Sequence, residues 1–536
     1  MSHANPIPSY LRQAYLLGLM MMAAGLTLSP FLMGLSQFWL ALVWIVDGVV
    51  NKDFKEKWSR FIHNKVAVLL VLFFLMHLVG LLYTRDFPYA IRDLRVKLSF
   101  LILPFVLSSM TPLDRKRFNL VMLIYVLSTF AATQFSFISY LKHDYEDVRE
   151  ISRFISHIRF CLNIVFSMAI IGYYLFKNRI SKGKGVPSFS WKIAVDHFLM
   201  WFLLFWFANQ IFIFESLSGY VILIAVFVAS LLFAFFRWKT NAAWRWGIIG
   251  GGMLVLIVAL IGLYRMARPM METEQVDFAA LEKKTALGND YWHDTVCNPI
   301  EDGKYVGLYY CRKELQEAWP QRSALPFDGN ALNGENLEAT AARYLTSKGL
   351  RKDAEGIKAL SDEDIRNIEQ GVANYNNWLH PGLRARLSST IFEYNLYRRF
   401  NNPNGGSLSQ RIEFTRASFH IIGQHPWFGV GTGDVPHAFN QAYDEIGSPL
   451  KEAFRFHAHN QYLSIAVAFG LVGLAFFLFV LLWPYLSSKK NRSYLYTVFL
   501  CIMLLSMFPE DTLETQAGAS MFAFFEALLL FVRPRS

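Results

Sequence analysis

Residues 461–484 of the chain read QYLSIAVAFGLVGLAFFLFVLLWP, and they follow directly on the polar segment His457-Ala-His459-Asn460. An apolar run of about 20 residues is long enough to cross a bilayer as a helix. Similar runs recur throughout the chain, which has 536 residues, 54% of them hydrophobic and 17% charged. Soluble domains usually contain about 25% charged residues. The sequence therefore predicts an all-α polytopic membrane protein.

We expect about twelve membrane-spanning helices from the positions of the apolar runs. The predicted spans are residues 13–29, 31–48, 66–84, 97–111, 119–141, 158–176, 194–214, 217–236, 246–265, 460–484, 494–508 and 516–533. The segments 97–111 and 494–508 are short, which is typical of tilted, broken or re-entrant helices. A second apolar run follows the first at once, so the first does not look like a cleavable signal peptide.

Lysine and arginine gather in alternate loops, and cytoplasmic loops are the ones that collect these residues. The basic loops are residues 49–65, 112–118, 177–193, 237–245 and 485–493, together with the C-terminal tail. With twelve spans all of them fall on one side, which predicts a bacterial inner-membrane protein with both termini in the cytoplasm. The net charge of +11 then reflects topology and does not indicate a nucleic-acid-binding surface.

The predicted topology divides the chain into three parts. Residues 1–265 form an N-terminal membrane domain of about nine spans, 266–457 a large, mainly helical periplasmic domain, and 458–536 a C-terminal membrane domain of about three spans. Within the middle part, Ser361 and Asp364 form a capping-box pattern ahead of an apolar periodic segment. The segment 401–406, Asn-Asn-Pro-Asn-Gly-Gly, predicts a break, and 408–423 an amphipathic helix.

His459 is the strongest candidate for catalysis, because an imidazole accepts a proton near neutral pH. If residues 459–473 form one continuous helix, Gly470 lies below His459 after three turns plus about 20°, and Gly473 lies about 40° to the other side. Two small residues there would let a neighbouring helix approach closely. An interfacial histidine that only caps a span is the competing interpretation. The pair His457 and His459 also suggests a metal site, but no third ligand is obvious and we predict none.

Basic side chains on the outer side form the second signal, because short outer loops normally avoid them. Arg159 lies just inside its predicted span, where an unpaired charge is costly and usually functional. Arg411 and Arg416 precede the loop that contains Gly429, Gly431 and Gly433, and arginine forks suit phosphate oxygens. The other basic residues in or beside the short outer loops are Arg85, Arg92, Arg95, Lys97, Arg149 and Arg153. Pairing with nearby acidic residues explains Arg149 and Arg153, whereas we favour phosphate binding for Arg159 and Arg411.

Two cysteines, Cys297 and Cys311, lie in the large outer segment, and the other two, Cys161 and Cys501, lie in apolar spans. An oxidising compartment allows a Cys297–Cys311 disulfide. Two free thiols are the alternative.

The block 408–474 resembles the O-antigen ligase/polymerase superfamily. His459-Asn460 followed by Gly470 and Gly473 fits the superfamily signature, and Arg411 precedes a His-Pro and Gly-Val-Gly segment as it does in relatives. The topology is also similar, with the largest outer loop just before the histidine-bearing span. The N-terminal half is similar in hydropathy only.

The resemblance implies a GT-C-like membrane glycosyltransferase that uses neither a metal ion nor a cofactor. It would move a glycan from undecaprenyl pyrophosphate to a hydroxyl of lipid A-core, of another glycan or of a protein, with His459 as the base. Arg411, Arg159 and Arg416 would bind pyrophosphate, and Asn460, His457, Gly470, Gly473, Gly431 and Gly433 would support the site. Many relatives carry Ser-Arg-Gly at the start of a middle span, where this chain has Ser218-Gly219-Tyr220 without an arginine.

An O-antigen ligase acting on lipid A-core is our first expectation. A polysaccharide polymerase or a protein O-oligosaccharyltransferase shares the donor and the fold, and the sequence does not separate them. A transporter or flippase is the alternative from another class. Transporters often show internal repeats and mid-span charges, whereas here the charges gather at one surface and no repeat is evident. No nucleotide-binding loop of the P-loop type is present, which argues against ATP-driven work.

Overall fold

The computed structural model describes residues 9–142, 151–152, 154–181, 191–214, 216–237, 242–296 and 298–533. These residues are mostly helical, and their strands are confined to one antiparallel pair, Ile300–Glu301 with Lys304–Tyr305. The chain divides into two compact units. The first comprises Met1–Gly252, Phe414–Gly447 and Arg455–Ser536, and the second Met253–Glu413 and Ser448–Phe454.

Within the residues that the structure describes, eight helices are long and apolar enough to cross a membrane. They are Tyr10–Leu28, Pro30–Asn51, Lys65–Tyr83, Arg115–Lys142, His157–Leu175, Leu217–Phe236, Ile249–Met271 and Gln461–Ser487. Shorter apolar helices lie at Ser99–Ser109, His197–Ile213, Tyr494–Ser506 and Gln516–Val532. Each of these twelve segments overlaps one of the predicted spans. Membrane crossing is supported for the eight long helices, and the total of twelve crossings remains a prediction.

The first unit is built on aromatic and aliphatic side chains that the apolar helices bring together. Phe73, Phe100 and Tyr125 are fully buried at its centre. Large apolar side chains are also exposed on its surface. Phe205, for example, is 75% exposed and Phe236 is 73% exposed. A soluble protein rarely exposes apolar surface on this scale. The pattern is that of helices with a lipid-facing side, and the protein is a multi-pass membrane protein.

Four further helices of the first unit connect or follow the apolar ones. They are Phe54–His63, Phe87–Lys97, Ser407–Gln424 and Val435–Glu445, of which Ser407–Gln424 begins in the second unit. The helix predicted at 408–423 is therefore confirmed. Short 3₁₀ segments lie at Gly80–Tyr83 and Thr512–Glu514.

The second unit has a small core of its own around the fully buried Trp319 and Tyr344. Its helices are Arg312–Ala318, Leu337–Lys348, Ala354–Lys358, Asp362–Glu369, Tyr375–Leu379 and Leu383–Phe400. The predicted capping box is confirmed, because Ser361 and Asp364 bond each other's backbone N–H at the start of Asp362–Glu369. The predicted break is confirmed as well, since a helix ends at Phe400 and the next begins at Ser407. Residues 414–447, which the sequence placed in the outer domain, belong to the first unit.

Candidate active site

The glycine loop, which contains Gly429, Gly431 and Gly433, interrupts the helix that follows His459. Gly470 has a φ of 66° and a ψ of −168°, which breaks Gln461–Ser487 into two pieces. Backbone hydrogen bonds join the loop to the helix at this break. Gly431 N–H of the loop donates to Ala468 O of the helix (2.9 Å), and Leu471 N–H of the helix donates to Pro426 O (2.7 Å). A side chain at Gly470 would overlap the backbone of Trp427. The expectation of a continuous helix with Gly470 beneath His459 is therefore wrong, because a loop and not a neighbouring helix uses the space that glycine leaves.

The same loop is hydrogen-bonded to the last turn of the Lys65–Val79 helix and to the segment that follows it. Thr432 Oγ1 donates to the carbonyl of His77 (2.7 Å), and Gly433 N–H donates to Thr84 Oγ1 (3.0 Å). Asp434 Oδ1 accepts from the backbone N–H groups of Arg85 and Asp86, both at 2.9 Å. The glycines at 431 and 433 thus allow close backbone approach on one side and hydrogen bonds on the other. Gly473 lies against the side chain of Phe469 within its own helix.

His459 lies just before the membrane helix and not on it. Its φ of 46° is in the left-handed region, which a residue with a side chain rarely adopts outside strained or functional positions. Asn460 is the N-cap: its Oδ1 accepts from Leu463 N–H (3.1 Å), and its Nδ2 donates to the carbonyl of Phe508 (2.9 Å). Gln461 N–H donates to Met507 O (2.9 Å). The loop before the last apolar helix therefore fixes the backbone on which His459 stands.

Two carboxylates from that loop face the imidazole of His459. Glu510 Oε2 lies 3.8 Å from His459 Nδ1, and Asp511 Oδ1 lies 4.0 Å from the same atom. The ring also stacks on Phe414, with 5.4 Å between centroids. Because both carboxylates lie on the Nδ1 side, they favour a proton on Nδ1 and leave Nε2 as the basic atom. Both distances exceed a direct hydrogen bond, and catalytic contacts often tighten only when substrate binds.

The carboxyl of Asp511 is influenced by the charges of both His459 and Arg159. Burial raises the pKa of Asp511, and the neighbouring charges of His459 and Arg159 act in the opposite direction. Arg159 stands at the beginning of the His157–Ser181 helix, and its Nη1 donates to Ser156 Oγ (2.8 Å). The charge of Arg159 thus acts on a carboxyl that also faces His459, and its role in phosphate binding remains a prediction.

A buried cluster of charged side chains stabilises the loop that carries Glu510 and Asp511. Lys97 is fully buried, with its Nζ 2.5 Å from Glu514 Oε2 and 3.1 Å from Asp93 Oδ1. Glu514 Oε1 accepts from Gln461 Nε2 (2.7 Å), and Gln461 Oε1 accepts from Leu513 N–H (2.6 Å). Lys97 is therefore part of the scaffold that holds His459-Asn460-Gln461 against residues 507–514, and not a solvated charge of an outer loop.

His457 has a different environment from His459. Its ring packs edge-on to Tyr89 (6.0 Å between centroids) and beside Phe439 (5.8 Å). Burial lowers the pKa of His457, so its neutral form is favoured. Together with Asp511 and the buried His77 it lines a small polar cavity next to the site. These contacts fit a supporting role better than proton transfer to a substrate.

The other predicted site residues are Arg411, Arg416, Cys297 and Cys311. Arg411 and Arg416 both lie on Ser407–Gln424, but Arg411 falls in the second unit and Arg416 in the first. Cys311 is buried, whereas Cys297 lies outside the described residues, so the disulfide remains a prediction. Arg149 and Arg153 also lie outside them.

Sequence reasoning missed Glu510, Asp511 and Glu514. The signal was present, because Pro509-Glu-Asp-Thr-Leu-Glu514 puts three acidic residues into a short loop between two apolar helices. These acids are far from His459 along the chain, and only the tertiary fold shows that they face it. They also supply the further metal ligands that the sequence did not reveal. His459, Glu510 and Asp511 offer ligand atoms within 4.8 Å of one another, a spacing at which a cation could be held.

Fold and site together define a multi-pass helical membrane protein with a histidine–carboxylate site at the start of a membrane helix. Residues 383–478 match the family model described as O-antigen ligase. This segment thus supports an O-antigen ligase-like family for the chain, as the resemblance suggested. The matched segment includes His459, Asn460 and the glycine loop, but neither Arg159 nor the two carboxylates. A search of curated proteins finds no match. The family implies a glycosyltransferase-like enzymatic role.

Proposed function

We propose that the protein transfers a glycan from undecaprenyl pyrophosphate to an acceptor hydroxyl on the periplasmic face of the bacterial inner membrane, with lipid A-core as the foremost acceptor. The observation that carries the proposal is the placement of His459 with its Nδ1 3.8 Å from Glu510 and 4.0 Å from Asp511. Both carboxylates thus lie on the Nδ1 side of the imidazole.

In the proposed reaction, His459 Nε2 takes the proton of the acceptor hydroxyl as the oxygen attacks the anomeric carbon of the donor sugar. The new carbon–oxygen bond forms on the face opposite the departing pyrophosphate, so the anomeric centre inverts. Both electrons of the breaking bond leave with the lipid pyrophosphate. Glu510 and Asp511 stabilise the imidazolium that His459 becomes, and general-base help of this kind is typically worth about 10²–10⁴-fold.

Arginines would neutralise the leaving group, which makes a metal ion unnecessary in this mechanism. Arg159 is the candidate for the arginine that relatives carry in Ser-Arg-Gly. The start of Leu217–Arg237 packs against the helix that carries Arg159, because a side chain at Gly219 would contact Cys161 of that helix. Arg411 and Arg416 are the further candidates from the matched segment.

The test compares His459→Ala with His457→Ala in the purified, lipid-embedded protein, using a radiolabelled undecaprenyl-pyrophosphate glycan and lipid A-core. We expect His459→Ala to lose transfer by at least about 10²-fold while donor binding is kept. His457→Ala should retain substantial activity. A fully active His459→Ala enzyme would refute the mechanism. Transfer to glycan or protein in place of lipid A-core would redirect the acceptor assignment to a polymerase or protein-glycosylating enzyme.

A further inference from the structure

The second unit carries an open cleft that the proposed chemistry does not use. It is lined by Trp292, Tyr310 and a rim of polar side chains, and its volume is about 600 Å³. Trp292 is 59% exposed, which is unusual for the largest side chain in a folded unit. Pockets for small organic ligands typically measure roughly 300–1,000 Å³ and combine apolar walls with a few placed polar groups.

The aromatic wall of the cleft is rigid. Trp292 and Tyr310 face each other as a bridge pair and exchange both backbone hydrogen bonds, at 2.8 and 3.0 Å. Directly opposite residues of such a pair project to the same face, and the two rings lie 6.2 Å apart, edge to face. The Tyr310 hydroxyl donates to Glu338 Oε1 (2.5 Å), which fixes that ring. A ligand would therefore meet a preorganised surface, at low entropic cost.

The rim carries both signs of charge. Asp290 and Glu338 stand with Arg312 and Lys313, and Asn289 adds a neutral amide. Several of these groups already hold each other, since Arg312 Nη2 donates to Glu338 Oε2 and to Asp328 Oδ1, both at 2.9 Å. The rim thus offers many hydrogen-bonding atoms without a dominant charge. Such a rim suits a neutral polyhydroxylated ligand better than a phosphate or a strongly charged peptide.

From this geometry we infer that the cleft binds a saccharide segment, with one sugar ring on the face of Trp292 and its hydroxyl groups on the polar rim. Pyranose rings have a C–H face that packs on an aromatic ring, and their hydroxyls form hydrogen bonds around the edge. The inference rests on the proposed function, because a glycan-transferring enzyme must hold long carbohydrate chains. It adds a glycan-binding site that is separate from the reacting groups.

The test uses isothermal titration of the full chain in detergent micelles. The probe is the water-soluble polysaccharide released by mild acid from lipopolysaccharide of the bacterium that carries this chain. We expect saturable binding to the wild-type protein, at least a tenfold loss in Trp292→Ala and near-wild-type binding in Trp292→Phe, which keeps an aromatic face. Trp378→Ala is the matched control, because Trp378 belongs to the same unit but does not line the cleft.

His459→Ala separates the two proposals, since it should bind the polysaccharide as the wild type does while transfer is lost. The inference is overturned if the wild-type protein does not bind the probe, or if Trp292→Ala binds it equally well. It is also overturned if Trp292→Ala changes only the oligomeric state in size-exclusion chromatography, which would assign the exposed indole to a contact between copies. An active His459→Ala enzyme with intact Trp292-dependent binding would contradict the proposed mechanism alone.

Discussion

The backbone of Trp427 occupies the place where a side chain at Gly470 would begin. The helix Gln461–Ser487 is interrupted there, and its missing hydrogen bonds are replaced in part by Val472 N–H donating to Trp427 O (3.3 Å). The glycine loop and the membrane helix are thus interlocked backbone to backbone. The loop therefore restricts which residue the helix can have at position 470.

We therefore expect Gly470→Ala to lower both thermal stability and transfer activity. The new Cβ would overlap Trp427 and the φ of 66° would be strained, at a cost on the order of 1–3 kcal/mol for the strain alone. Gly423→Ala is the control, because nothing lies within 4 Å of a Cβ at that position. The measurement is the melting temperature of the detergent-purified protein. Equal melting temperatures for both variants would contradict the interlocking.

Lys97→Met should destabilise the protein and reduce transfer, since it leaves Glu514 and Asp93 buried without their cation. Removing one partner of a buried ion pair typically costs about 3–5 kcal/mol. Glu514 also holds Gln461, so the position of His459 should suffer as well. Arg95→Met removes an exposed charge from the same helix and should have little effect. Thermal unfolding and transfer rates check the prediction, and similar results for both variants would argue against it.

Asp511→Asn and Glu510→Gln should each reduce transfer by about tenfold or more, a part of the 10²–10⁴-fold typical of general-base help. Burial raises the pKa of Asp511, so its carboxyl takes up a proton at a higher pH than an exposed aspartate does. Activity should fall as the pH drops through that pKa, and Asp511→Asn should remove this part of the pH profile.

The cluster of His459, Glu510 and Asp511 also permits a test of the metal alternative. We expect activity to survive EDTA, because the carboxylates act on the imidazole directly. Loss of activity on chelation, with recovery on adding a divalent cation, would instead show that His459, Glu510 and Asp511 serve as ligands.

Arg159→Ala and Arg411→Ala should each weaken use of the pyrophosphate donor, because each removes a guanidinium proposed to bind phosphate oxygens. Arg149→Ala should matter far less, since acidic residues surround it in the sequence. Initial rates against donor concentration would measure the effect. Equal, mild losses in all three variants would indicate that the outer arginines are only solvated charge.

A cysteine in the second unit should be accessible from outside the inner membrane. Ala324 is exposed and is therefore a suitable position for labelling. Ala324→Cys should react with an impermeant maleimide in intact spheroplasts, in a background that lacks the native cysteines. Lys490→Cys, in a loop predicted to be cytoplasmic, should react only after lysis. The reverse pattern would invert the topology.

The sequence by itself determined the membrane class and the positions of its apolar helices, because crossing a bilayer requires long apolar runs that are visible in the chain. It also made His459, Asn460 and the two glycines candidates for the site, since these lie close together in one block. The break at 401–406 and the capping box at Ser361 were local as well, and local turn and capping chemistry depends on adjacent residues.

Only the tertiary structure placed Glu510 and Asp511 beside His459, and Lys97 beneath them. Contacts between residues far apart in sequence depend on how helices pack, which hydropathy does not encode. The role of Gly470 was misjudged for the same reason. A glycine in an apolar run is compatible with a continuous helix, and the backbone of Trp427, which enters from another part of the chain, is what requires the break.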